Sequence, residues 1–267
     1  MDYNSGYQID NVSYAYGEIP ALEDFSLTLP AGKFYGIVGP NGCGKSTFLD
    51  LLIGSKEPAS GNLRLNGEPL SQYKKRDLAK LVALVPQNFN IGFDYSVEEV
   101  VLMGRHPYIH RFASPSEEDW NRVEEAMDTI GILHFGKRSI MELSGGEKQR
   151  VVVARALAQD TPFLLFDEAT SNLDIRYSLQ IFKRVKTLVE QEGRTVIAVI
   201  HNLNFAAAYC NEIIFIKDKR VYASGTVEDV MTAETVTEVF GVESEVRRDS
   251  FNGMRQLSYK YQGEEGY

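Results

Sequence analysis

The eight residues Gly39 to Ser46, GPNGCGKS, constrain this chain more than any other segment. They fit the pattern G-x-x-x-x-G-K-[ST]. They follow the apolar run KFYGIV at 33–38 and lead into STFLDLLI at 46–53, whose apolar positions have helical spacing. Strand, glycine-rich turn and helix in that order make a phosphate-binding loop. Gly39, Gly42 and Gly44 let the backbone turn its N–H groups inward around an anion, with Asn41 and Cys43 filling the loop between them. The helix adds the positive end of its dipole. Lys45 supplies a charge for the outer phosphates, Ser46 a hydroxyl for Mg²⁺, and Thr47 a further contact to phosphate.

Such a loop needs a buried sheet behind it, and three further apolar runs provide one: LVALVP at 81–86, FLLF at 163–166 and TVIAVI at 195–200. Helical patterns at 146–158 and 176–191 lie between them. Alternation of strand and helix predicts an α/β fold with a largely parallel sheet. The first residues read differently. Val12, Tyr14 and Tyr16 alternate with small residues, then Phe25, Leu27 and Leu29 with polar ones, and Leu63, Leu65 and Gly67 mark a hairpin. This predicts an N-terminal antiparallel β region. From about 88 to 139 the pattern turns helical, with a capping box at Ser96 and Glu99 and an acidic, amphipathic stretch over 116–130. The expected organisation is one domain over 1–267: a nucleotide-binding core of 1–87 and 150–245, an inserted α-helical subdomain at 88–149, and a tail at 246–267. In that tail Leu257, Tyr259 and Tyr261 alternate, which predicts a short strand with no function assigned.

The second half of the site is Asp167-Glu168, delivered by FLLF at the C-terminal end of a buried strand, where open α/β sheets bind ligands. Asp167 is placed to hold Mg²⁺, and Glu168 to act as general base on an attacking water.

Composition narrows the partners. With 28 Lys+Arg against 37 Asp+Glu the net charge is −9, which opposes sequence-independent nucleic-acid binding. Two cysteines make no disulfide framework and point to a reducing compartment. The N-terminus carries no apolar run, so no signal peptide is expected. The longest stretch free of Asp, Glu, Lys and Arg, Thr195–Asn211, contains His201, Asn202, Asn204 and Asn211, so no membrane span is expected either.

Leu143 to Arg150, LSGGEKQR, resembles the signature sequence of ABC transporters, 23 residues before Asp167 counting from Ser144. The chain from Ile9 to Val242 is similar to the ATP-binding subunit of such a transporter, with a P-loop NTPase core of the ABC ATPase type. The resemblance implies that Ser144, Gly145, Gly146 and Glu147 form a second anion cradle on the γ-phosphate held by another subunit. The active unit is then a homodimer with two ATPs in its interface. It also implies that Gln87 senses Mg²⁺ and the lytic water, with Ser46, Gln87 and Asp167 around the metal. His201 is the switch histidine, Asp174 ends the D-loop Ser171-Asn172-Leu173-Asp174, and Tyr16 stacks on adenine. Tyr14 shares a strand face with Tyr16 and stays open as the stacking residue.

Two positions depart from the family pattern. Ala169 stands where many relatives have Pro, and Asn202 where Asp is usual, which removes a carboxylate from the histidine loop. The segment LMGRHPY at 102–108 resembles the ATPases of type II importers for iron-siderophore, haem or cobalamin, with molybdate and zinc or manganese importers as relatives. The implied setting is the cytoplasmic face of the plasma membrane, on two copies of a multi-span permease served by a substrate-binding protein. A soluble ABC ATPase of DNA repair or translation is disfavoured by a single signature, no heptad block and the acidic charge. A binding module without turnover is disfavoured by Glu168 and His201.

Two side readings complete the sequence. His106 and His110 have i, i+4 spacing, but Pro107 breaks the helix and no third ligand is evident, so zinc is rejected. Cys43 is expected to be favoured as thiolate by the helix dipole and Lys45, which would make its modification block nucleotide binding. The competing reading is a small filler in the loop.

Overall fold

The computed structural model describes residues 5–87, 89, 92–169 and 174–260. The elements begin with β1 (Gly6–Tyr16), β2 (Ile19–Pro30), β3 (Phe34–Val38), α1 (Lys45–Leu52), β4 (Ser60–Leu65), β5 (Glu68–Pro69), α2 (Lys75–Leu78) and β6 (Val82–Val85). There follow α3 (Val97–Leu102), α4 (Glu117–Thr129), α5 (Gly145–Ala158), β7 (Phe163–Asp167), α6 (Ile175–Glu192) and β8 (Thr195–Val199). The chain continues with α7 (Leu203–Tyr209), β9 (Glu212–Lys217), β10 (Arg220–Thr226), α8 (Val227–Val230), α9 (Ala233–Phe240), β11 (Ser244–Arg248) and β12 (Arg255–Tyr259).

The central sheet has the order β10-β9-β3-β8-β7-β6. The pairs β9–β3, β3–β8, β8–β7 and β7–β6 are parallel, and only β10 runs against its neighbour. Helices cross between these strands, as the alternating pattern requires. Both faces are buried, and the period of two sorts the side chains. Phe34, Val38, Leu164, Phe166, Val196 and Ala198 enter one core with α5, α6 and α7. Tyr35, Ile37, Phe163, Leu165, Ile197 and Val199 enter a second core with α1 and the N-terminal strands. Those strands form the expected antiparallel region, a sheet of order β2-β1-β4-β5.

The helical segment does not have a core of its own. Val97, Val100, Val123 and Met127 of α3 and α4 share one apolar cluster with α5 and the strands β6 and β7. A boundary at 149/150 falls inside α5, a single helix that Ser144 caps and that runs on to Ala158. A boundary at 245/246 likewise cuts β11, which pairs with β12 as a hairpin. The terminal strand expected from Leu257 and Tyr259 is β12, while Tyr261 lies outside the described residues. Among the described residues, no helix is long and apolar enough to cross a membrane.

Candidate functional site

Parallel strands that are neighbours in a sheet end on the same side. The C-terminal ends of β3, β8, β7 and β6 therefore bring the loop at 39–44, His201, Asp167 with Glu168, and Gln87 to one edge.

The loop after β3 is shaped by glycines that no other residue replaces. Gly44 has φ 105° at the N-cap of α1, and a Cβ there would lie 2.5 Å from the Ala21 carbonyl oxygen. At Gly39 a Cβ would lie 2.2 Å from the Ile216 carbonyl oxygen. Lys45 is 5% exposed, and its Nζ donates to the carbonyls of Gly39 (3.0 Å) and Pro40 (2.9 Å). The ammonium thus sits within the ring of the loop, held by dipoles rather than by a carboxylate. Asn41 and Gly42 are exposed on the loop, Thr47 is buried behind it, and Ser46 points outward.

Ser46 Oγ donates to Asp167 Oδ1 at 3.0 Å, so the helix after the loop and the end of β7 meet through a hydroxyl and a carboxylate. Burial pushes the Asp167 carboxyl above the usual range, and the neighbouring Glu168 adds to the effect against the bond from Ser46. Glu168 leaves the strand with φ 51°, a left-handed conformation that costs a non-glycine residue roughly 1–2 kcal/mol. That turn directs its carboxylate between two partners. Gln87 Nε2 donates to Oε2 at 2.6 Å, and His201 Nε2 lies 2.6 Å from Oε1. A carboxylate has about four lone-pair sites, so these contacts orient it and leave acceptor capacity for a water.

Asn202 answers the question raised by the missing aspartate. Its Oδ1 accepts from the N–H groups of Asn204 and Phe205, which makes it the N-cap of α7 directly after His201. The histidine loop is therefore anchored by a neutral cap. Ala169 is 3% exposed and packs in the core.

Cys43 departs from expectation. It is 4% exposed, and burial pushes its thiol up, beyond the opposing pull of Lys45 and the nearby backbone N–H groups. A buried thiol with a raised pKa is a packed filler, and the reading of a favoured thiolate is withdrawn.

Tyr16 ends β1 half exposed at 49%, its hydroxyl 3.3 Å from Thr47 Oγ1 and its ring 5.4 Å below the Lys56 ammonium. Tyr14 packs edge-on against it, with ring centroids 5.1 Å apart. The hydroxyl contact joins Tyr16 to Thr47 in the first turn of α1, next to Lys45 and Ser46; the sequence pattern did not separate Tyr16 from Tyr14.

Among the described residues, no hydrogen bond joins the signature residues to this edge. Ser144 N–H and Oγ donate to Glu147 Oε2 at 2.8 and 2.7 Å, and Glu147 N–H donates back to Ser144 Oγ at 3.4 Å. Among the described residues, none of these bonds reaches the phosphate loop. Hydrogen bonds from Ser144 hold the Glu147 carboxyl below the usual range. The two residues form a capping box at the start of α5, legible in the sequence as S-x-x-E. Gly145 and Gly146 open α5, and their N–H groups belong to the first turn, where helix geometry supplies no acceptor. Asp174 caps α6 by accepting from Tyr177 N–H at 2.9 Å, while Ser171, Asn172 and Leu173 lie outside the described residues.

A phosphate loop, a strand-end acid pair and a histidine on neighbouring parallel strands define a nucleotide-binding site of the P-loop type. The comparisons narrow that class. The family model described as ABC transporter matches residues 22–171. The cobalamin import ATP-binding protein of Halobacterium salinarum is 38% identical over 87% of this chain. The matched region is 58% of that protein's length, so this chain spans little more than half of it. The ferric enterobactin transport ATP-binding protein of Escherichia coli is 34% identical over 91% of this chain and 90% of its own length. A transporter described as of metal-chelate type, solved in an inward-facing conformation, superposes with a TM-score of 0.85 at 28% identity, covering 96% of this chain and 98% of that one. A dimeric bacterial ABC transporter cassette superposes with a TM-score of 0.74 at 32% identity, over 83% of this chain and 98% of that one. This chain belongs to the ABC transporter family.

Proposed function

We propose that the chain is the ATP-hydrolysing subunit of an importer for a metal chelate, such as an iron-siderophore, haem or cobalamin. The observation that carries the catalytic part is the placement of the Glu168 carboxylate: one oxygen faces Gln87, the other His201, and the next residue back, Asp167, meets Ser46. In this reading Lys45 and the N–H groups of 39–47 bind the phosphates, and Tyr16 stacks on adenine. Glu168 takes a proton from the attacking water, and His201 fixes the direction of that carboxylate and contacts the γ-phosphate. Phosphoryl transfer of this kind is mostly positioning and electrostatics, which suits a site built of cradles rather than nucleophiles.

The donor set fits Mg²⁺. A hydroxyl and a carboxylate, 3.0 Å apart, are hard oxygen ligands of the kind that Mg²⁺ takes alongside phosphate oxygens and water. Ser46, Asp167 and the amide oxygen of Gln87 would hold it, and the ion would supply charge neutralisation on the phosphates.

Gly145 and Gly146 present first-turn amides that, among the described residues, make no hydrogen bond to the phosphate loop of their own chain, which supports a head-to-tail homodimer with each signature turn on its partner's ATP. The dimeric cassette among the similar structures supports the same reading. The names of the relatives support the cargo class. In this reading the partner is a membrane permease, with the subunit on its cytoplasmic face and a substrate-binding protein acting upstream. Affinity purification from native membranes tests the partner. Recovery with a multi-span permease is expected, and recovery with ribosomes or DNA in its place contradicts the reading.

A further inference from the structure

Asn204 lies three residues beyond His201, in the first turn of α7. Its side-chain amide pairs with the backbone of Leu257 in β12 through both of its groups. Leu257 N–H donates to Oδ1 at 2.7 Å, and Nδ2 donates to the Leu257 carbonyl at 3.4 Å. Leu257 faces Val246 across the hairpin, so Asn204 stands on the outer edge of β12, where a third strand would pair. The Leu257 side chain is 3% exposed and belongs to the core beneath α6 and α7. The hairpin has a second anchor in Arg255, which donates to the Glu228 carboxylate at 2.9 Å and to the Met231 carbonyl at 3.0 Å.

These bonds form a continuous physical link. The hairpin holds Asn204, Asn202 caps the same helical turn, and His201 immediately precedes that cap, 2.6 Å from Glu168. With seven residues α7 is too short to hold its own position, so its anchors decide where its first turn sits. Among the described residues, Asn204 makes the only side-chain hydrogen bonds between α7 and the hairpin. Nothing in the family motifs assigns it a role.

We infer that Asn204 is a positioning residue: it fixes the His201 loop against the C-terminal hairpin, so that the seating of the hairpin sets how His201 meets Glu168. This rests on the role proposed above for His201. It also makes the hairpin a point from which a bound partner could raise or lower turnover without touching the nucleotide.

Steady-state ATPase measurements on the full chain test this, with Asn204→Leu, Arg255→Ala, His201→Ala and the Asn204→Leu/His201→Ala double variant. Asn204→Leu keeps the side-chain volume and removes both hydrogen bonds. It is expected to lower kcat about tenfold, as a small displacement of a reacting group does, with KM for ATP changed less than about twofold. Arg255→Ala loosens the other anchor, whose bonds run to Glu228 and Met231, and is expected to move kcat the same way. The double variant should be no slower than His201→Ala alone, since both changes remove one function. Parental kcat in both Asn204→Leu and Arg255→Ala would overturn the inference, as would losses that multiply in the double variant. If Asn204→Leu does not fold, Arg255→Ala and its own double variant with His201→Ala decide by the same criteria. Parental turnover in His201→Ala is a different failure: it removes the assigned role of His201, and the inference falls with it.

Discussion

His201 Nε2 stands 2.6 Å from Glu168 Oε1, and the pairing of β7 with β8 brings the two within reach. In that parallel register Asp167 lies opposite Val199, so Glu168 is one residue and His201 two residues past the last paired position. Glu168 turns at φ 51°, and His201 is held by the cap that follows it. A shift of one residue in this register would send the carboxylate to the other face of the sheet.

Removing the buried ammonium tests the phosphate loop. Lys45→Ala is expected to weaken ATP binding by about ten- to a hundredfold, the size of one charge-assisted hydrogen bond. Calorimetric titration with ATP measures it, and parental affinity would sink the assignment.

The cysteine in the loop is expected to be slow to react. With 4% exposure and a raised pKa, Cys43 has a smaller thiolate fraction at pH 8 than a free cysteine and poor access to a reagent. Iodoacetamide labelling followed by mass spectrometry should be at least about tenfold slower than for free cysteine. A rate equal to that of the free amino acid would contradict this burial.

The helix cap can be separated from its charge. Asn202→Ala should cost about 1 kcal/mol of stability by denaturant unfolding, the usual value of an N-cap. Asn202→Asp restores the acceptor and should stay within about 0.5 kcal/mol of the parent, since Asp and Asn cap about equally well. Equal stability of all three would mean that the cap carries no weight.

Arg105 and Asp119 form a buried ion pair at 3.0 Å between the segment after α3 and the start of α4, and Arg105 also donates to the Ala158 carbonyl. Burial raises the Asp119 pKa. The bonds from Ser116 and Arg105 outweigh it and hold the carboxyl below its ordinary value. The sign follows from that depression: the contribution to stability is complete above about pH 4 and is lost as pH falls through the lower native value. Asp119→Ala should cost about 3–5 kcal/mol at neutral pH, because it strands a buried guanidinium. The gap between variant and parent should narrow at the acid end of a pH series of denaturant melts. A gap independent of pH would contradict the pairing.

The reacting groups were legible because each is attached to a pattern. Gly39–Ser46 needs a strand before and a helix after, and FLLF carries Asp167 and Glu168 at its end. The unbroken apolar runs of β3, β7 and β8 told that both faces are buried. What could not be read depends on distant pairing. Asn202 looked like a lost carboxylate, and only the start of α7 shows it as a cap. Asn204 has no motif, because its partner Leu257 is 53 residues away. The direction of Lys45 and the burial of Cys43 come from a loop closed on its own carbonyls, which spacing alone does not display. The subdomain boundary at 149/150 falls inside α5, a helix that continues through it, because helical periodicity does not mark where one packing unit passes into the next.

The central claim is that Glu168 activates the water that cleaves ATP, and single-turnover hydrolysis by Glu168→Gln tests it most directly. Gln keeps the shape and the hydrogen bonds but cannot take a proton. The account predicts that the variant binds MgATP with parental affinity, accumulates as an ATP-bound dimer in size-exclusion chromatography, and cleaves at a rate lower by about 10²–10⁴-fold. Cleavage at the parental rate would contradict it.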